Sequence, residues 1–207
     1  MKFQLVLKRI LDFIFALLGL ILLSPLLIVI RLLVKLDSKG PVFYKGERVG
    51  KFGKIFKIYK FRTMVPNAEK IGTIHASRND PRITKIGKFL RRSKLDELPQ
   101  LINVLNGEMS FVGPRPQVKY YVDLYTEEEK IILNVSPGMT DYASIYYINQ
   151  EDFIDEENVD KSYREKIEPQ KNKLRVKYAK NNSLFIDAGI FFQTIFTIIK
   201  KIILKKK

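Results

Sequence analysis

An aspartate and a glutamate stand side by side at Asp96-Glu97, directly behind Arg91-Arg92-Ser93-Lys94. Carboxylates crowded against cations can hold a phosphate and a divalent metal together. The cations neutralise phosphate oxygens while a carboxylate such as Asp96 ligates the metal. Further along, Arg115 is bracketed by Pro114 and Pro116. Two prolines fix the backbone on either side and present the guanidinium in a preset direction, which suits a bidentate grip on phosphate. Lys60 and Arg62, before Thr63-Met64, are two further candidate phosphate contacts. Each feature has a plainer reading alone: a helix cap, a turn arginine, a solvated lysine. Their company argues for chemistry. The chain has no cysteine and one histidine, His75, in a polar stretch with no sequence-local partner. Disulfides and thiol nucleophiles are excluded, and His75 reads as an ordinary surface residue. Carboxylate, cation and metal chemistry remain.

The acidic pair needs a scaffold. Leu98, Leu101, Ile102 and Leu105 fall at helical spacing, and Gly107 is a natural stop. Pro99 is tolerated only in a first turn, so the helix is expected to begin close to Asp96, placing both carboxylates at its N-terminus. Successive helical residues point about 100° apart, so the two carboxylates cannot do the same job on the same atom. Upstream, Asp80-Pro81-Arg82-Ile83-Thr84 leads into a short basic helix with Thr84 as N-cap, carrying Lys85, Lys88, Arg91 and Arg92. Residues 42–44 and 55–61 are rich in β-formers around Gly50-Lys51-Phe52-Gly53 and read as a hairpin. Residues 65–79 read as a polar loop, and 110–116 as too proline-rich for helix or central strand. Thr126-Glu127-Glu128-Glu129 is a capping box for a helix over 130–134. Pro137-Gly138 suits a type II turn, and 141–148 alternates enough for a strand. An acidic, loop-like stretch at 149–160 precedes charged helices over 163–167 and 169–179, whose mixed charges read as solvated surface.

The ends differ in character. Lys and Arg number 37 against 22 Asp and Glu, a net charge of +15. That balance points to an anionic partner: nucleic acid, an acidic membrane surface or phosphorylated substrates. Residues 13–30 are uncharged over roughly 18 residues, about 27 Å as a helix, at the lower limit for crossing a bilayer. A spanning helix, a re-entrant helix and a buried core helix all fit the apolarity. Lys2, Lys8 and Arg9 precede the run and Arg31, Lys35 and Lys39 follow it. Equal positive charge at both ends favours the re-entrant reading, with both ends on the cytosolic side. Pro25 is expected to kink this helix, and Ser24 to re-satisfy the freed carbonyl. Residues 184–199 are apolar and aromatic, too short to span, and followed by Lys200-Lys201 and Lys205-Lys206-Lys207. They read as a helix lying at a membrane interface. Asp187 within it is expected to turn towards protein or water. The reading is therefore α/β, mainly helical with a small β-hairpin. A membrane helix over 1–39, a catalytic part over 40–183 and an interfacial segment over 184–207 make a monotopic membrane protein.

In order, these segments resemble the bacterial sugar transferase family, the small monotopic phosphoglycosyl transferases. The matching pieces are Ser24-Pro25, Lys57-Ile58-Tyr59-Lys60-Phe61-Arg62-Thr63-Met64, and Asn79-Asp80-Pro81-Arg82-Ile83-Thr84-Lys85-Ile86-Gly87. To these add 95–105, 110–116, Pro137-Gly138-Met139-Thr140 and Ser183-Leu184-Phe185-Ile186-Asp187. The resemblance implies an enzyme at the cytosolic face of the inner membrane, among membrane lipids. It would move a sugar phosphate from a nucleotide sugar, a UDP-sugar, to a polyprenyl phosphate with Mg²⁺, in polysaccharide or glycoconjugate synthesis. It implies Asp96 as the nucleophile that forms a covalent phosphosugar, Glu97 as its partner in the dyad, and functional roles for Lys60, Arg91, Arg115 and Asp187. After Thr140 the chain departs from the family's Gly-Trp-Ala-Gln-Val and reads Asp141-Tyr142-Ala143-Ser144-Ile145, so the sugar stays open, as does a homodimer. A membrane-tethered nucleic-acid-binding protein would explain the charge but not the Pro-Arg-Pro turn or the acidic pair, so no nucleic-acid partner is expected. A non-catalytic scaffold on the same fold would be expected to lose Asp96 or Glu97.

Overall fold

The computed structural model describes residues 2–68, 71, 76–77, 80–153 and 158–204. His75, Asn79, residues 154–157 of the acidic loop and the lysines at 205–207 lie outside them. The chain opens with a 36-residue helix, α1 (Lys2–Asp37). By length and composition it is apolar enough to cross a membrane. One stripe is buried, through Ala16, Ile30 and Val34, while Phe15, Leu18, Ile21, Leu22, Val29 and Leu36 are exposed. Pro25 lies inside this helix. Having no N–H, it leaves the carbonyl four residues earlier without a donor, and the Ser24 hydroxyl donates to that Ile21 carbonyl at 2.8 Å.

A hairpin follows, β1 (Phe43–Val49) and β2 (Ile55–Phe61), antiparallel with Phe43 opposite Phe61 and Val49 opposite Ile55. A 3₁₀ turn over Lys51–Gly53 joins the strands. Next come α2 (Lys85–Ser93), capped by Thr84, whose hydroxyl accepts from the Gly87 N–H at 3.0 Å, and α3 (Gln100–Asn106). Gly107 ends α3 at φ +83°, a left-handed conformation that glycine adopts without a Cβ penalty. The strand β3 (Ser110–Val112), the short helix α4 (Lys119–Val122) and the strand β4 (Gly138–Thr140) come next, with β3 and β4 pairing in parallel. The short helices α5 (Tyr142–Tyr146) and α6 (Val159–Ser162) lead through a π turn at Tyr163–Ile167 into α7 (Glu168–Asn181). The long helix α8 (Leu184–Leu204) follows.

Helices dominate, with two two-stranded sheets among the described residues. One core cluster joins Ala16 of α1, Phe56 and Ile58 of β2, Leu101 and Val104 of α3, and Met109. Ile30 and Val34 pack on Phe61 and Leu90. The apolar stripe of α1 is thus part of the domain's core along both halves, and its ends are tied down by hydrogen bonds. Arg9 donates to the carbonyls of Val104 at 2.5 Å and Leu105 at 2.8 Å, at the C-terminal end of α3. At the other end Asp37 accepts the Ile86 N–H at 3.0 Å.

As expected, residues 110–116 form neither helix nor central strand: among the described residues β3 pairs only with β4, in a two-stranded sheet where a Cβ on Gly113 would lie 2.3 Å from the Ser136 carbonyl oxygen. Two expectations from sequence need correction. Residues 142–146 are helical and not a strand. Asp141 caps them by accepting the Ser144 N–H at 2.6 Å, and Tyr142 and Ile145, three apart, face one cluster with Tyr178 and Ile190. The capping box at Thr126 forms reciprocally with Glu129, but it opens a 3₁₀ helix, Glu129–Asn134.

Candidate active site

The acidic pair sits just before α3 and not within it. Lys94 adopts a left-handed φ of 59° at the end of α2, turning the chain into a 3₁₀ turn, Leu95–Glu97, and α3 begins only at Gln100. The expected helix start at Asp96 is therefore displaced by one turn, and the charge around the dyad comes mainly from side chains. Asn103, fully buried on α3, joins that helix to the strand that carries Lys60. Its side-chain oxygen accepts the Tyr59 N–H at 2.9 Å, and its amide donates to the Lys57 carbonyl at 2.8 Å and to Glu108 at 2.7 Å. This amide stands in for a neighbouring strand on β2.

Lys60 at the end of β2 then meets Glu97 at 3.0 Å. Arg115 donates to the same carboxylate through both terminal nitrogens, Nη1 to Glu97 Oε2 at 2.9 Å and Nη2 to Oε1, the oxygen that Lys60 also meets. Arg115 Nη1 also reaches the Met139 carbonyl at 3.2 Å. Burial raises the Glu97 pKa, but Arg115, Lys60 and Lys94 together outweigh it and hold the carboxyl well below its ordinary value. Asp96 goes the other way. Burial and the Glu97 charge push it up, opposed by Lys60, Lys94 and Arg91. It is only 7% exposed, and its Oδ1 has no hydrogen-bond partner among the described residues. Two adjacent carboxylates thus have opposite environments: Glu97 is saturated with cations, whereas Asp96 keeps an oxygen in hand.

The sequence model of one family, bacterial sugar transferase, matches residues 3–201. The chain belongs to the bacterial sugar transferase family. Over 195 residues the transferase is 39% identical to the UDP-N-acetylgalactosamine-undecaprenyl-phosphate N-acetylgalactosaminephosphotransferase of Aeromonas hydrophila, covering 93% of this chain and 43% of that protein. It is 42% identical over 195 residues to the UDP-glucose:undecaprenyl-phosphate glucose-1-phosphate transferase of Escherichia coli (strain K12), covering 92% of this chain and 39% of that one. It is 36% identical over 203 residues to the exopolysaccharide production protein ExoY of Sinorhizobium fredii, covering 91% of this chain and 83% of that protein. The transferase therefore spans less than half the length of the Aeromonas and Escherichia relatives.

Of the residues singled out in the transferase sequence, the structure brings Asp96, Glu97, Lys60 and Arg115 together. Arg91 donates its Nε to the Thr63 hydroxyl at 2.8 Å and acts on Asp96 through its charge. Arg92, one residue on, is exposed. Arg62 is placed elsewhere. Its guanidinium donates to the carbonyls of Ser38 at 2.6 Å, Lys39 at 2.9 Å and Val34 at 3.3 Å, capping α1. A strand-end arginine expected to meet phosphate thus holds the end of the long helix. Asp187 does turn towards protein. It pairs with Lys8 at 2.5 Å and accepts the Tyr178 hydroxyl at 2.6 Å, in a cluster that joins α1, α7 and α8.

The mixed charges on α7 are only in part the solvated surface that their sequence suggested: Lys173, Lys177 and Lys180 are exposed, but one face is not. Glu168, Lys171, Asn172 and Arg175 are all buried. Arg175 donates to Glu168 at 2.9 Å and to Asn172 at 2.7 Å, which keeps the buried charge paired. Sequence reasoning names Lys94 only among the cations just upstream of the pair, and does not single out Asn103 or Asp141 as site residues. A polar Asn103 on an otherwise apolar helix stripe is the available signal for one of them.

Proposed function

We propose that this transferase moves a sugar 1-phosphate from a UDP-sugar to a polyprenyl phosphate through a covalent phosphosugar on Asp96. The observation that carries the reading is the unequal dyad: Asp96 has a buried oxygen without a partner among the described residues, beside a Glu97 held by Lys60 and Arg115. A carboxylate is a weak nucleophile and must be aligned and shielded from the anions it approaches. An Asp96 oxygen attacks the sugar-bearing phosphorus. An aspartyl O–P bond forms, the bond from that phosphorus to the bridging oxygen breaks, and the nucleoside monophosphate leaves with the electron pair. A phosphate oxygen of the polyprenyl phosphate then attacks the same phosphorus, breaks the aspartyl bond and regenerates the carboxylate. Lys60 and Arg115 orient Glu97 and hold positive charge where the diphosphate arrives, and Arg91 and Lys94 favour the ionised Asp96.

Among the described residues no three carboxylates or imidazoles gather to hold a metal by themselves. Mg²⁺ fits in the manner usual for phosphate chemistry, through one carboxylate plus substrate phosphates. Asp96 is the carboxylate that would hold it, through the oxygen not used in attack, and the ion would supply charge neutralisation to the diphosphate when bound.

On the same reading the transferase lies at the cytosolic face of the inner membrane, with α1 re-entrant and α8 lying in the interface. The exposed stripe of α1 and the exposed Phe185, Phe192, Phe196 and Ile203 of α8 suit lipid contact. Both ends of α1 bond to the same body, through Arg9 on α3 and Arg62 on the carbonyls at 38 and 39. That supports both ends lying on one side. Cysteines introduced at Lys2 and Lys39 are expected to react only from the cytosolic side, and outer-face labelling of either would overturn this topology.

The reaction is tested by a single-turnover experiment. Enzyme with a panel of UDP-sugars and Mg²⁺, without lipid, should release up to one equivalent of nucleoside monophosphate. The adduct should map to an Asp96 peptide and discharge when polyprenyl phosphate is added. Asp96→Asn should lose the burst by at least about 10²-fold, the low end for a removed catalytic group. A normal burst in that variant rules out Asp96 as nucleophile, and release that requires both substrates together points to direct transfer.

A further inference from the structure

The Pro114-Arg115-Pro116 segment has one backbone N–H, because neither proline carries one. That N–H, on Arg115, donates to Asp141 Oδ2 at 3.1 Å. Asp141 is 1% exposed, and its other oxygen accepts the Ser144 N–H at 2.6 Å, holding the start of α5. Its Oδ2 also lies 3.9 Å from Arg175 Nε, and Arg175 is fixed in turn by Glu168 and Asn172 on α7. A single carboxylate therefore joins the backbone of the Glu97-gripping arginine to two helices that contribute no group to the dyad. The Met139 carbonyl, two residues before Asp141, holds the other end of Arg115.

The geometry points to Asp141 as a positioning residue for Arg115. By anchoring the segment's one N–H, it sets the place from which the guanidinium reaches both oxygens of Glu97. A bidentate grip depends on the direction of the fork as well as on its charge, so a small rotation of the Arg115 backbone breaks one of its two bonds. The lone Oδ2 acceptor also stands between two cationic residues. An amide in its place can accept one bond but directs an NH₂ at the donors on its other side. This inference rests on the reading of Arg115 and Glu97 as parts of the reacting site.

The experiment uses the full chain in detergent and a double-mutant cycle of Asp141→Asn with Arg115→Met. Asp141→Asn should lower turnover by roughly tenfold to 10²-fold, as a displaced orienting group does. It should cost little or nothing further in the Arg115→Met background. Equal losses in both backgrounds, or wild-type turnover in Asp141→Asn, would overturn the inference. A second readout needs no substrate. The ¹⁵Nε–¹H resonance of Arg115 should be sharp in the wild-type protein and exchange-broadened in Asp141→Asn. An unchanged resonance also counts against positioning. A wild-type chain that releases no nucleoside monophosphate would count against the proposed reaction, while the resonance still decides the role of Asp141. Asp141→Ala offers a harsher version, and Asp141→Asn, which keeps the shape and one acceptor, decides the matter if the alanine variant does not fold.

Discussion

Replacing Arg115 with methionine keeps much of the side chain's bulk and removes the charge from the Glu97 clamp. The side chains of Arg115 and Glu97 are 26% and 17% exposed, so solvent screens the pair only in part. Hydrogen bonds to a charged group contribute about 1.5–3 kcal/mol each, and breaking a buried pair costs about 3–5 kcal/mol. Lys60 still meets Glu97 at 3.0 Å and compensates for part of the loss. A net cost of about 2–3 kcal/mol follows, or a fall in Tm of roughly 5–10 °C for a chain of this length. The sign of its pH dependence is fixed. The folded Glu97 pKa is depressed, so its stabilising contribution is full above the ordinary glutamate pKa and is lost as pH falls through the folded value. Arg115→Met raises that folded pKa towards the ordinary one. Thermal unfolding in detergent across a pH series should therefore show the full gap between wild type and variant near neutrality. The gap should narrow in acid, below the ordinary carboxylate range. A gap that stays constant with pH would show that Arg115 stabilises the fold by packing and that the Glu97 clamp contributes nothing measurable.

Because burial and Glu97 push the Asp96 pKa up while Lys60 pulls it down, Lys60→Met should raise it further. The nucleophile must be ionised, so the acid limb of nucleoside monophosphate release should move to higher pH, and an unmoved limb in a single-turnover pH profile would refute this. Asn103→Ala removes three hydrogen bonds and leaves the Tyr59 N–H and Lys57 carbonyl unpaired. The cost should be roughly 3–5 kcal/mol at about 1–3 kcal/mol per unsatisfied group, read as a lower denaturation midpoint with the slope unchanged.

What the sequence determined by itself was mostly local. The Thr84 cap, the glycine end of α3 at Gly107, the Thr126 capping box and the Ser24 hydroxyl on the Ile21 carbonyl are all settled within a few residues. The acidic pair and its candidate cations were visible too, because residue types and their crowding survive without coordinates. Tertiary structure alone decided which cation meets which carboxylate. Lys60 reaches Glu97 across 37 residues and Lys8 reaches Asp187 across 179, and Arg62, two residues from Lys60, turns to cap α1 instead. It also decided that 142–146 coil into a helix, because Asp141 found a backbone N–H to cap and Tyr142 and Ile145 found one cluster to enter. The charges of α7 likewise read as solvated until Arg175 met Glu168 and Asn172 in the interior. Local propensity cannot foresee such pairings, because the free energy of a buried charge depends on the partners that the fold brings to it from distant parts of the chain.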